Sequence, residues 1–218
     1  SIHPSLTQAF TPSISRDILE DLEENKHQIF DTDAIIEILY RHKNIRNSVN
    51  LWLKKIGLNY KLSVANTSKP SERLKIRVFA EDIELRATKI DLQDIGYGAF
   101  QAIRLVLILL TFKEKNIFLS EPEQNLHPSV HINLLDLIRE SITINKNKVF
   151  IETHSENIVL KMLKMVRDKE FKSNDIKISV VTKDKDGGKI NQIEILENGD
   201  IASDWPNGFF MDRYHLVD

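Results

Sequence analysis

Ile117-Phe118-Leu119-Ser120-Glu121-Pro122-Glu123-Gln124-Asn125-Leu126-His127-Pro128 is a short apolar run that ends abruptly in carboxylates and then in a proline suited to start a helix. Val149-Phe150-Ile151-Glu152-Thr153-His154-Ser155 repeats the pattern, with a histidine at its end. Each run has the length and the aromatic and β-branched content of a buried strand. Around them, Phe100–Thr111, Ser129–Asn145 and Ser155–Asp168 carry helical periodicity, and Ile176–Thr182 reads as a further strand. Strands alternating with helices predict an α/β fold, with right-handed crossovers and a mostly parallel sheet flanked by helices on both faces. Ligands of such sheets bind beyond the carboxyl ends of the strands, which directs attention to the carboxylates Glu121 and Glu123 and to His154.

Outward from this centre the rhythm changes. Asp184-Lys185-Asp186-Gly187-Gly188 predicts a tight turn into a last strand, Lys189–Leu196, closed by Asn198-Gly199. Upstream, Ser15–Leu58 repeats apolar residues at helical spacing (Ile35, Ile36, Leu39; Val49, Trp52, Leu53, Ile56), and Gly57 stands where a helix would stop. Lys61–Ala65, Leu74–Ala80 and Glu84–Thr88 alternate with period two and predict a small antiparallel sheet. Ser1–Ile14 has no periodicity and reads as a lead-in loop. The expected organisation is a helical and small-sheet region over 1–90 and an α/β lobe over 91–218.

Composition limits the function classes. With 218 residues, 41% hydrophobic and 28% charged, the chain has the apolar content to bury a core and is not of the disordered class. Its formal net charge of -2 supplies no overall field toward nucleic acid or anionic lipid, although a local basic patch stays open. The cysteine count of 0 excludes disulfides and thiolate metal sites and suits a cytoplasmic location. The most apolar stretch, Ala102–Phe112, is interrupted by Arg104 and falls short of a bilayer core of about 30 Å, so no membrane partner is expected. Ser1-Ile2-His3-Pro4 shows no signal peptide and no initiator methionine, which predicts a fragment of a longer protein.

The order of these motifs resembles a family. A strand followed by Ser120-Glu121-Pro122, where the family has an acidic pair and proline, then Leu126-His127-Pro128, then a strand ending in Thr153-His154-Ser155, is similar to the nucleotide-hydrolysing half of ABC-class ATPases of the AAA type, especially bacterial ATPases related to OLD, RecF and SMC proteins. Asp94-Ile95-Gly96-Tyr97-Gly98-Ala99-Phe100-Gln101 resembles their signature loop, and Trp205-Pro206-Asn207-Gly208-Phe209-Phe210 resembles the C-terminal motif of a subgroup found in bacterial defence and mobile-element loci. The likeness spans Asp91 to Asp212. It implies ATP and Mg²⁺ as cofactors, with Glu121 as the catalytic carboxylate that polarises the attacking water and His154 as the switch histidine at the γ-phosphate. Gly96, Gly98, Phe100 and Gln101 would form the cofactor-binding signature loop, its backbone and helix start facing a phosphate. The residue before Glu121 corresponds to the family's Mg²⁺-binding aspartate and is Ser120 here. Phe100 likewise stands in the place of a serine that donates to the phosphate.

No P-loop is present in these 218 residues. Gly-x4-Gly-Lys-Ser/Thr is met by none of the 7 glycines, and Gly188-Lys189 fails it at both Lys183 and Ile190. The resemblance therefore implies three partners: an N-terminal P-loop lobe of the same protein, a second copy joined through the ATP sites, and an effector. The competing expectation is a non-catalytic relic of such an ATPase that recruits an effector, with Ser120 and Phe100 recording lost catalysis. A third is a metal-dependent nuclease centred on Asp184 and Asp186, against which the adjoining Gly187-Gly188 argues for a plain turn.

Three further features read as structural. His127 and His131 have the i, i+4 spacing of a zinc pair with Glu123, but the resemblance implies a conformational role for His127, and a solvated helix position is preferred for His131. Lys161, Lys164, Arg167, Lys169 and Lys172 interleave with Asp168 and Glu170 and lack an aromatic platform, which favours a solvated helix face over a nucleic-acid surface. Trp205, Phe209 and Phe210 suit a core cap as well as a partner contact.

Overall fold

The computed structural model describes residues 32–67, 75–82, 89–92, 94–185, 187–203 and 205. The expected lead-in loop, the strand over 84–88 and residues 206–210 of the tail lie outside them. The chain divides into two compact units, Ser1–Thr153 and His154–Asp218.

The first unit begins with two helices, α1 (Thr32–Arg41) and α2 (Lys43–Lys55), followed by β1 (Tyr60–Thr67), β2 (Lys75–Asp82) and β3 (Ile90–Asp91) in an antiparallel sheet of order β1-β2-β3. Ile35, Leu39, Val49, Leu53 and Ile56 are all completely buried, so the apolar faces legible at helical spacing are the faces that pack. Gly57 takes φ 91 just after α2, the left-handed conformation that ends a helix cheaply only at glycine. Asn50 fastens α2 to the sheet. Its amide donates to the Leu62 carbonyl at 3.0 Å and its Oδ1 accepts from the Leu62 N–H at 2.7 Å, copying the pairing a neighbouring strand would make.

Next come α3 (Tyr97–Thr111), β4 (Asn116–Ser120), α4 (Pro128–Thr143) and β5 (Lys148–Glu152). β4 and β5 are parallel and in register from Asn116↔Lys148 to Ser120↔Glu152. α3 is buried along Ala102, Ile103, Val106 and Leu109 and packs on α2 and α4, while α4 also packs on β5. Parallel strands are usually covered on both sides, yet here only one face is inward: Ile117 and Leu119 are buried, whereas Phe118 and Phe150 are 74% and 50% exposed and stack on each other at 4.6 Å. The expectation of helices on both faces is therefore met on one face of β4–β5.

Buried asparagines hold the amino ends of these two strands. Asn147 donates to the Phe112 carbonyl at 2.7 Å and to Ser141 Oγ at 2.9 Å, and its Oδ1 accepts from the Lys115 N–H at 2.9 Å. Asn145 donates to the Leu109 carbonyl at 3.0 Å. Asn145 and Asn147 are only 6% and 2% exposed, so their polar groups rely on these bonds in place of water.

The second unit holds α5 (Glu156–Arg167), a short 3₁₀ turn (Ser173–Asp175), and the antiparallel hairpin β6 (Ile178–Asp184) and β7 (Gly187–Ile193). Leu163, Val166 and Ile195 form its core, against which Phe171, Ile176, Ile178, Ile201 and Trp205 pack. The strand expected over 176–182 thus pairs with its own hairpin partner, and Asp184 faces Gly187 across the turn, as the turn reading of that segment requires. Lys164 pairs with Asp168 at 2.6 Å and Arg167 with Asp200 at 2.9 Å, so two cations of the basic run are engaged by acids on its own surface. Among the described residues no helix is long and apolar enough to cross a membrane.

Candidate functional site

The carboxyl ends of β4 and β5 gather most of the residues singled out from the sequence. β4 ends at Ser120, whose hydroxyl donates to Glu152 Oε2 at 3.0 Å across the strand pair. The chain then turns at Glu121, which adopts φ 44 although it is not glycine, while its N–H donates to the Glu152 carbonyl at 2.8 Å. A left-handed non-glycine residue costs roughly 1–2 kcal/mol, so the surrounding bonds over-determine this turn. The Glu121 carbonyl accepts from the Gln124 N–H at 2.9 Å and lies 3.5 Å from the Gln101 amide on α3.

Gly96 and Gly98 play different parts at the start of α3. Gly96 is the N-cap, with open space where a side chain would project. At Gly98 an added Cβ would stand 2.2 Å from the Asn125 carbonyl oxygen, so the helix start and the 121–127 loop approach closely enough to exclude any side chain. Phe100 follows within the first turn, half-buried, and Gln101 points its amide at the loop, while its Oε1 is buried with no hydrogen-bond partner among the described residues. The helix start, Ser120 and Glu121 therefore meet at one end of β4–β5. His154, exposed, opens the second unit directly after Thr153.

Glu123 differs from the sequence expectation of a second carboxylate at the mouth. It is 8% exposed, and its Oε1 accepts a short hydrogen bond from the Thr153 hydroxyl, which ties the loop after β4 to the residue after β5. Nitrogens of both histidines in the zinc alternative are likewise engaged by the chain. His127 caps α4, its Nδ1 accepting from the Ser129 N–H at 3.3 Å and the Ser129 hydroxyl at 2.8 Å. His131 is half-buried, and its Nε2 donates to the Leu126 carbonyl at 3.0 Å, so it fastens the loop to α4 instead of standing in solvent. No group of three His, Asp or Glu residues placed to hold a metal occurs among the described residues. Sequence reasoning missed Glu152 and Thr153 as members of the site. The signal was present in the matching apolar triplets Ile117-Phe118-Leu119 and Val149-Phe150-Ile151, which set the carboxyl ends side by side once the strands pair in parallel.

Comparisons agree with this architecture. No curated protein matches the chain. Among solved structures, one from a study of ATP-driven dimerization and DNA-stimulated activation of SMC ATPases aligns over 83% of this chain and 94% of its own, with 10% identity and a TM-score of 0.52. An Smc head bound to the C-winged helix domain of ScpA aligns over 78% of this chain at 14% identity and a TM-score of 0.50. The Smc head domain with an extended coiled coil bound to the C-terminal domain of ScpA, from Pyrococcus furiosus, aligns over 82% of this chain at 13% identity and a TM-score of 0.51. The chain spans 50% and 42% of the length of these two Smc heads. At such identities the likeness is one of fold, that of an SMC ATPase head. The sequence pattern of the AAA ATPase domain matches residues 2–159, a span that contains α3, β4, α4 and β5 with the whole turn at Glu121. Because that match covers well over half of the 218 residues, the chain belongs to the AAA ATPase domain family.

Proposed function

We propose that this chain is the C-terminal, motif-bearing part of an ABC-class ATPase, with residues 91–218 as its lobe, and that it hydrolyses ATP once a P-loop lobe of the same protein and a second copy complete the site. The observation that carries this reading is the meeting, at the carboxyl end of β4–β5, of Glu121 on its strained turn with the N-terminus of α3. Glu121 acts as the base that orients the attacking water, held by a turn whose backbone is bonded on both sides. Gly96, Gly98, Phe100 and Gln101 present a helix start to a phosphate, with Gly96 leaving the approach open. His154, at the head of the second unit, supplies the donor to the γ-phosphate. Mg²⁺, held with the nucleotide, would offset charge on the phosphate oxygens, and Ser120 stands where this chain would hold it. A bacterial defence or DNA-associated setting follows from the tail at Trp205 and its resemblance, and dimerisation and DNA stimulation have support in what is described for the SMC ATPases of like fold.

Turnover by the full-length gene product tests the reading, measured with and without DNA. Hydrolysis that depends on protein concentration, as a dimeric site requires, and that disappears in Glu121→Gln supports it. A full-length protein that folds and binds partners but turns over no ATP favours the second reading, an ATPase relic that recruits an effector. The observation behind that alternative is the pair of departures at Ser120 and Phe100.

A further inference from the structure

The donor set at the carboxyl end of β4–β5 fits the Mg²⁺ that this ATPase family uses with its nucleotide. Mg²⁺ takes oxygen ligands, is commonly held by one or two carboxylates together with phosphates, and keeps several waters, so a three-residue protein cage is not required. Three carboxylates surround the strand ends. Glu123 is buried and its Oε1 is taken by the Thr153 hydroxyl. Glu121 occupies the left-handed turn, half-buried. Glu152 is exposed, and its Oε2 already gathers a second oxygen, the Ser120 hydroxyl, at 3.0 Å. Gln101, whose amide reaches the same turn, keeps one buried acceptor, Oε1, that has no hydrogen-bond partner among the described residues.

We propose that Glu152 is the carboxylate by which this chain holds Mg²⁺, acting together with the Ser120 hydroxyl, so that the negative charge absent at position 120 is supplied from the neighbouring strand. This inference rests on the ATPase reading above. The register is its physical basis. Ser120 and Glu152 are direct partners in a parallel pair, and both fall on the exposed face that carries Phe118 and Phe150, so their side chains stand beside one another. A serine alone offers an ion a neutral oxygen, and a glutamate one strand away adds the charge that compensates dehydration of a small divalent cation. The Ser120–Glu152 bond is exposed, where it adds little to folding, so its placement is better explained by the ion than by stability.

Mn²⁺ replaces Mg²⁺ as the probe, titrated by electron paramagnetic resonance against the full-length gene product saturated with a non-hydrolysable ATP analogue. Glu152→Gln is expected to weaken Mn²⁺ binding roughly tenfold or more, while analogue affinity measured in EDTA stays at the wild-type value. Adding Ser120→Asp to Glu152→Gln should restore Mn²⁺ affinity, because the charge returns to the same pair of strand ends. A Glu152→Gln protein that titrates like wild type overturns the proposal and leaves the ATPase reading standing. So does a double variant that folds and binds the analogue yet regains no affinity for Mn²⁺. If wild type binds no analogue with or without Mn²⁺, the ATPase reading fails, and this inference fails with it.

Discussion

The two ends of the β4–β5 pair are made from the same materials and do opposite things. At the amino end, polar side chains are buried and every bond described for them closes on the chain itself: Asn145 on the Leu109 carbonyl, Asn147 on the Lys115 N–H, the Phe112 carbonyl and Ser141. At the carboxyl end, the side-chain bond between Ser120 and Glu152 is exposed, Gln101 Oε1 is buried with no partner among the described residues, and Gly98 is bare so that α3 can touch the 121–127 loop. Both ends contain left-handed non-glycine residues, Glu114 (φ 56) and Lys146 (φ 58) at the first and Glu121 (φ 44) and Asn125 (φ 60) at the second. Strain by itself thus does not mark the candidate site. The distinguishing property is where the polar side chains lie: Asn145 and Asn147 are buried where the strands begin, whereas Ser120 and Glu152 are exposed where they end.

This contrast breaks first, and most, at Glu121. In the full-length protein Glu121→Gln should lower turnover between about 10²- and 10⁴-fold with an unchanged melting temperature, since the amide keeps the shape of the turn. Steady-state kinetics beside a thermal melt check both halves, and equal turnover in the variant would remove the base assignment. At the opposite end Asn147→Ala should do the reverse. Loss of its three side-chain hydrogen bonds is expected to cost about 2–4 kcal/mol in urea denaturation, while nucleotide affinity per folded molecule stays constant. An Asn147→Ala protein as stable as wild type would show that the amino-end clamp is not what holds the strands.

Gly98 sharpens the comparison because it belongs to the carboxyl end yet is constrained by packing. Gly98→Ala places a Cβ against a backbone oxygen, 2.2 Å away in the unrelaxed structure, and should cost about 1–3 kcal/mol. Calorimetry would read this, and an undiminished melting temperature would mean that the helix start and the loop separate freely. The smallest effect is expected at Ser120→Ala. Deleting a hydroxyl from an exposed hydrogen bond should leave denaturation within error of wild type, and a loss as large as that of Asn147→Ala would assign Ser120 to folding.

Much of this was legible without coordinates. The apolar runs at 117–120 and 149–153 became β4 and β5 within a residue at each end, and α3, α4 and α5 began and stopped near the limits of their periodic patterns. These elements are written locally, by side-chain spacing, by Pro128 at a helix start and by Gly57 at a helix end. The candidate carboxylate Glu121 followed from its place at a strand end and Ser120 from the family resemblance, and the approach of Gln101 and Gly98 to the loop after β4 agrees with the order in which the motifs occur.

What the sequence by itself determined is the elements, the α/β class and the end of the strands at which chemistry would be sought, because these depend on periodicity and on residues near in the chain. Only the tertiary structure decided which polar residues are used up in holding the fold together. Glu121 and Glu123 look alike in the sequence, but one stays at the turn while the other is buried under Thr153, 30 residues further on. Glu152 reads as an ordinary strand terminus until parallel register sets it beside Ser120, 32 residues away. Burial and cross-strand pairing are properties of groups brought together over long stretches of chain, and no local pattern encodes which of two similar carboxylates the fold will spend.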